Sequence, residues 1–193
     1  MCGIFGQVSL SGVNRKHLKK LVKHSEQRGM DSSGVIYYDK LDYKVNRADY
    51  KIEKLLNIVK PYDAQVVLGH SRLITNGLGD NQPVVRGNIC AIHNGIILNE
   101  EDVWEKIKVE RKLKIDSEVI VAIAEEHLAQ GGKLSELPDK ILNLCRGTIS
   151  CALVVPNMGK ILLFSNNGSL YVGQGDTGVY FASESYPLTQ IDC

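Results

Sequence analysis

Residues 1–9, Met1-Cys2-Gly3-Ile4-Phe5-Gly6-Gln7-Val8-Ser9, open the chain and carry its most telling pattern. From residue 3 the run reads as a strand, and it lacks the basic segment and long apolar stretch of a signal peptide. Strand-like runs also close the chain, at 147–155, 160–165, 169–173 and 178–183, separated by Gly and Asn as in an antiparallel meander. Between the ends lie Gly34-Val35-Ile36-Tyr37-Tyr38 and Tyr43-Lys44-Val45-Asn46-Arg47, which predict a hairpin, and a strand at 65–70. A further strand at 88–93 ends in His93-Asn94-Gly95. Helices are expected after Asn14, a plausible cap, with Leu18, Leu21 and Val22 at helical spacing. Others are expected near 100–108, over 117–129 with Val119, Ile120, Ile123, Ala124 and His127 on one side, and near 134–144, where Pro138 kinks or starts the helix. Strands at both ends with helices between them predict an α+β fold, two sheets with helices outside, rather than an alternating parallel one.

The bulk numbers narrow the function. The chain has 193 residues, enough for one domain with a sizeable core, and no internal linker or repeat divides it. A formal net charge of +1 provides no electrostatic reason to expect nucleic acid or an anionic membrane. No apolar run approaches the roughly 20 residues that span a bilayer, so a cytosolic location is the default. The five cysteines are odd in number and show no metal-ligand spacing, which argues against a disulfide framework or a zinc site. Cys90 and Cys151 lie in apolar strand-like runs and read as small buried hydrophobes.

Four features could carry chemistry. Cys2 follows the initiator methionine, and removal of Met1 would leave it with a thiol and a free α-amine. That amine titrates near 8, lower than lysine, so one residue can supply both nucleophile and base. Gly3 would allow a substrate carbonyl close to this end. The alternative is a second-position cysteine without a role. Gly69-His70-Ser71-Arg72 ends a strand and opens into a polar loop, where an arginine can grip a carboxylate bidentately or simply pair on the surface. Asn94-Gly95 reads either as a tight turn or as an amide and a backbone N–H for an oxyanion. Asp116-Ser117-Glu118 either caps the long helix or gives Asp116 to a substrate ammonium.

In this order and spacing the features resemble the class II glutamine amidotransferases, whose glutaminase domain has the four-layer αββα fold of N-terminal-nucleophile hydrolases. The resemblance runs from Met1 to about Ser185. It rests on Cys2-Gly3-Ile4-Phe5-Gly6, Arg28-Gly29-Met30-Asp31-Ser32-Ser33-Gly34, the loop from Gly69 to Gly77, His93-Asn94-Gly95-Ile96-Ile97, Asp116-Ser117-Glu118, Arg146-Gly147 and Phe181-Ala182-Ser183. Within the family the glutamine:fructose-6-phosphate aminotransferase branch is most similar, with the phosphoribosylamine-forming enzymes close behind. The resemblance implies that Cys2 attacks the side-chain amide of L-glutamine while Asn94 and Gly95 stabilise the oxyanion. It implies that Arg72, with groups around Thr75 and Asn76, holds the α-carboxylate, that Asp116 holds the α-ammonium, and that Arg28 shapes the pocket beside the nucleophile. No metal or organic cofactor is implied. Three positions depart from the family pattern: Leu73 replaces an aromatic, Asn76 a histidine, and Met30 a tyrosine or proline. The family domain normally continues past Ser183 into a synthase domain. The chain, 1–193 as one amidotransferase domain, is thus expected to be excised or truncated, or to pass ammonia to a partner, with a phosphosugar as the acceptor. Two other readings stand beside this one, an amidohydrolase of the same fold with another substrate and a module that binds glutamine or a partner without turnover.

Overall fold

The computed structural model describes residues 2–73, 80–191 and 193. It contains two antiparallel sheets packed face to face, with a layer of helices on the outside of each. The first sheet is built from β1 (Gly3–Val8), β2 (Ser32–Tyr38), β3 (Tyr43–Ala48), β4 (Val66–Arg72), β9 (Tyr171–Gly175) and β10 (Gly178–Ala182), in the order β3-β2-β4-β1-β10-β9. The second holds β5 (Val84–Arg86), β6 (Ile89–Ile97), β7 (Gly147–Val155) and β8 (Lys160–Ser165), in that order. This is the four-layer αββα arrangement expected from the sequence.

Period-two alternation divides each strand between layers. In the first sheet Ile4, Leu68 and Phe181 face the second sheet and meet Cys90, Ile92, Ala152 and Val154 there. Their neighbours Phe5, Val35, Val67 and Tyr180 face the other way, onto α1 (Arg15–Glu26) and α2 (Ile52–Val59). The outer face of the second sheet packs on α3 (Glu100–Trp104), α4 (Glu118–Ala129) and α5 (Leu137–Leu144). Each fully buried Leu, Ile or Phe contributes about 1.5–3 kcal/mol. The three apolar layers therefore fix the register of every strand that reaches the site, since a one-residue slip would turn its apolar face outward.

Local expectations hold at most elements. Asn14 caps α1, its Oδ1 accepting from the N–H groups of Lys16 and His17. Pro138 lies in the first turn of α5, where its missing N–H costs nothing, so the helix starts there rather than kinking. The structure departs from the sequence expectation at five places. The helix at 52–59 and the short strand at 84–86 were not anticipated, although Ile52, Leu55 and Leu56 form a helical stripe. The helix near 100–108 stops at Trp104. The closing strands do not form one meander: β7 and β8 pair in the second sheet, while β9 and β10 pair in the first. Finally, β6 does not end at Asn94-Gly95 but runs on to Ile97, paired with β7 from Cys90 to Ile97. The turn reading of Asn-Gly fails because cross-strand pairing on β7 outweighs the local turn preference. None of the described helices is long and apolar enough to cross a membrane.

Candidate functional site

The site lies where β1 begins and β4 ends. The two strands are antiparallel with Gly3 opposite Ser71, so one further step places Cys2 across from Arg72. Gly3 is needed here for a reason other than substrate approach. A Cβ on it would lie 2.6 Å from Ser25 Oγ and 2.8 Å from the Ser25 carbonyl oxygen. The end of α1 thus presses directly on the start of β1, and Ser25 Oγ donates to Ser71 Oγ at 2.9 Å, tying the helix to both strands.

Arg28 follows α1 and reaches the Cys2 backbone. Its Nε donates to the Cys2 carbonyl at 2.8 Å, and its guanidinium pairs with Glu184 at 2.6 Å. Arg72 is only 3% exposed, so it is not the surface arginine that the sequence left open. Its guanidinium donates to the Asp80 carbonyl, and its own carbonyl accepts from Asp31 N–H at 3.0 Å. The Asp80 carboxylate in turn accepts from Lys114 N–H, which links this corner to the chain just before Asp116.

The Cys2 Sγ lies 3.7 Å from the Leu73 carbonyl oxygen. Burial raises the thiol above its ordinary pKa. Hydrogen bonding to the Leu73 backbone, the positive charge of the chain terminus and Arg72 all pull it down, while Asp116 pushes it up. A cation and an anion of opposite influence therefore both lie within electrostatic reach of one sulfur.

The second sheet and the start of α4 supply further buried polar groups at this end of the molecule. Asn94 is 2% exposed, and its Nδ2 donates to Ser183 Oγ at 3.4 Å. Ser183 Oγ also accepts from Ile4 N–H at 2.9 Å, so one hydroxyl ties Asn94 to the first strand, two residues after Cys2. Gly95 has φ +154°, and a Cβ there would stand 1.8 Å from the Thr148 carbonyl oxygen. No side chain fits unless β7 moves. Asp116 is 4% exposed, with Oδ2 accepting from Ile97 N–H at 2.9 Å and Oδ1 from Ser117 N–H at 2.8 Å. Ser117 stands at the N-terminus of α4 but makes no side-chain cap bond, and the helix-start N–H of Ser117 is met by the Asp116 carboxylate instead.

Behind Asp116 is a buried ion network. Glu118 has no exposed side-chain surface. It pairs with Arg86 at 2.5 Å and accepts from the N–H groups of Lys112 and Leu113. Arg86 also pairs with Glu125 at 2.7 Å and donates to the Glu110 carbonyl. Together these contacts fix residues 110–113 and hence the approach to Asp116. His70 lies in β4 two residues before Arg72. It is fully buried, with neither ring nitrogen reaching a hydrogen-bond partner among the described residues. Burial, reinforced by the charges of Arg72 and His93 and opposed only by a weak interaction with the His93 backbone, pushes its pKa down to about 3.

The structure thus gathers Cys2, Arg28, Arg72, Asn94 and Asp116 at one end of the sandwich, with Gly95 next to Asn94. Thr75 and Asn76 lie outside the described residues. Of the departures from the family pattern, Leu73 and Met30 are both exposed and line one surface concavity beside Arg28. Sequence reading marked Ser183 within a motif without giving it a role, and missed Asp80 and Glu184, which act through contacts across 8 and 156 positions that no local pattern marks.

The glutamine amidotransferase domain family matches residues 70–190, and the chain belongs to that family. It is 30% identical over 99% of its length to glutamine–fructose-6-phosphate aminotransferase (isomerizing) of Geobacillus kaustophilus. The corresponding enzyme of Bacillus subtilis strain 168 is likewise 30% identical over 99% of the chain. The chain spans about a third of the length of these relatives, 33% in both cases. Among solved structures, the glutamine phosphoribosylpyrophosphate amidotransferase of B. subtilis superposes with a TM-score of 0.79 at 18% identity, covering 99% of this chain and 44% of that one. A glutamine aminotransferase class-II domain protein from Silicibacter pomeroyi superposes at 0.60 with 17% identity, covering 94% and 88%. At such identities these two structures speak for the N-terminal-nucleophile fold.

Proposed function

We propose that this domain hydrolyses the side-chain amide of L-glutamine and releases ammonia for an acceptor. The observation that supports the reading is that Arg72 and Asp116, both buried and of opposite charge, each act electrostatically on the Cys2 thiol. An α-amino acid with a side-chain amide presents a carboxylate to the first, an ammonium to the second and its amide carbon to the sulfur. Once Met1 is removed, the Cys2 α-amine takes the thiol proton and the sulfur attacks the amide carbon. The oxyanion is met by Asn94 Nδ2 and the Gly95 N–H. The proton passes to the amide nitrogen, the C–N bond breaks and ammonia leaves a γ-glutamyl thioester on Cys2. Water then adds to the thioester, the C–S bond breaks, glutamate departs and the thiol regains its proton. Arg28 holds the Cys2 carbonyl throughout, and Thr75 and Asn76 are assigned to the α-carboxylate with Arg72. The acceptor, by the length and names of the relatives, is a sugar phosphate on a further domain or a partner chain.

Glutamate release from purified protein, with an intact mass of the same sample, tests this. Chains lacking Met1 should form glutamate, and Cys2→Ala should abolish it. Fully processed protein that binds glutamine but forms no glutamate, alone or with a synthase partner, would refute turnover.

A further inference from the structure

His93 precedes Asn94 on β6 and takes no part in the chemistry above. Its buried ring touches two groups: Nε2 lies 3.3 Å from the Thr148 carbonyl oxygen and Nδ1 2.9 Å from Ser117 Oγ. A carbonyl only accepts, so Nε2 bears a proton. Burial lowers the ring's pKa, against the opposing pull of the Asp116 carboxylate and the Thr148 carbonyl, which leaves the imidazole neutral and Nδ1 a bare acceptor.

Ser117 therefore has one hydroxyl proton and two claimants. His93 Nδ1 stands at 2.9 Å and Asp116 Oδ1 at 3.3 Å. The acceptor side of the hydroxyl is filled by Gln82 Nε2 at 3.2 Å, and the same Gln82 clamps the His93 backbone through both its amide atoms, at 2.9 and 2.6 Å. A carboxylate has about four acceptor sites. Ser117 N–H takes one on Oδ1 and Ile97 N–H takes one on Oδ2. With the hydroxyl turned toward His93, each oxygen keeps one site for an ammonium. With it turned toward Asp116, Oδ1 is saturated.

The other ring nitrogen acts on the oxyanion side. A Cβ on Gly95 would stand 1.8 Å from the Thr148 oxygen and 2.7 Å from His93 Nε2, so the bond between those two atoms lies against the Gly95 backbone. We propose that His93, as its Nε2–H tautomer, is a positioning residue with two separable effects: through Ser117 it keeps Asp116 open to the substrate ammonium, and through Thr148 it holds the strand contact that aims the Gly95 N–H. This inference rests on the glutaminase reading.

Two substitutions separate the effects. His93→Gln places an amide near Nε2 and keeps the bond to Thr148 while losing Ser117. Its KM for glutamine should rise about tenfold with kcat within about threefold of wild type. His93→Asn keeps an acceptor near Nδ1 and loses Thr148, so kcat should fall about tenfold or more with KM little changed. Variants that melt close to wild type yet change KM and kcat in parallel would overturn the proposal. A second measurement does not need turnover. The 15N resonances of His93 in Cys2→Ala protein at neutral pH should show a protonated Nε2 and a bare Nδ1. An Nδ1–H tautomer or a doubly protonated ring would refute the inference whether or not glutamine is hydrolysed. Failure of processed wild-type protein to form glutamate would strike the parent reading instead.

Discussion

Between pH 7 and pH 4.5 the folded protein should lose about 2.5 kcal/mol of stability through His70 alone. The ring is fully buried, and its pKa lies at about 3 against an ordinary 6.5. In the unfolded chain the imidazole takes a proton as the pH falls through 6.5, whereas the folded ring refuses one until near 3. The unfolded state thus binds more protons throughout that window. The stabilising contribution is complete above 6.5 and is lost progressively below it. Each unit is worth about 1.36 kcal/mol, so two units below 6.5 cost about 2.7 kcal/mol, and the full window costs close to 5. Urea unfolding followed by circular dichroism at pH 7, 5.5 and 4.5, on wild type and His70→Gln, measures it. The variant has its own baseline stability, but its decline between pH 7 and 4.5 should be shallower by about 2.5 kcal/mol. His93 and the carboxylates titrate in both proteins and cancel in the difference. Parallel curves for the two proteins would refute the argument that His70 is buried neutral.

Other perturbations follow from the same geometry. Gly95→Ala drives a methyl group into the Thr148 carbonyl, so it should lower the melting temperature and abolish glutamate release; a native-like melt with full activity would contradict the contact. Glu118→Ala strips Arg86 of its fully buried partner and frees the N–H groups of Lys112 and Leu113, and should cost about 3–5 kcal/mol in urea titration. Arg72→Lys keeps the charge but not the planar fork. Its KM for glutamine should rise about tenfold or more, and an unchanged KM would remove Arg72 from the carboxylate site.

Much of the fold was legible because the apolar layers impose their period on the sequence. The strands read at 3–9 and 65–70, and the helical stripe of Leu18, Leu21 and Val22, survive in the structure because their apolar residues are buried between the layers. The failures came where a local signal met a stronger long-range one. Asn94-Gly95 reads as a turn in isolation, yet it lies within β6 because β7 pairs with it on through Ile97. The closing strands read as one meander because sequence spacing cannot say which sheet a hairpin joins.

The sequence by itself determined the family, the apolar faces of its strands and helices and the identity of the residues offered for chemistry, since composition, periodicity and motif order are properties of the chain. Only the tertiary structure decided how those residues are held. Asp80 links Arg72 to Lys114, two residues before Asp116, and Asn94 reaches the strand after Cys2 through a serine 89 positions away. His93 acquires a tautomer from Thr148 and Ser117, 55 and 24 positions distant. Hydrogen-bond partners and burial set protonation and aim. Both depend on which strands meet in space, and that is decided by the packing of the two sheets.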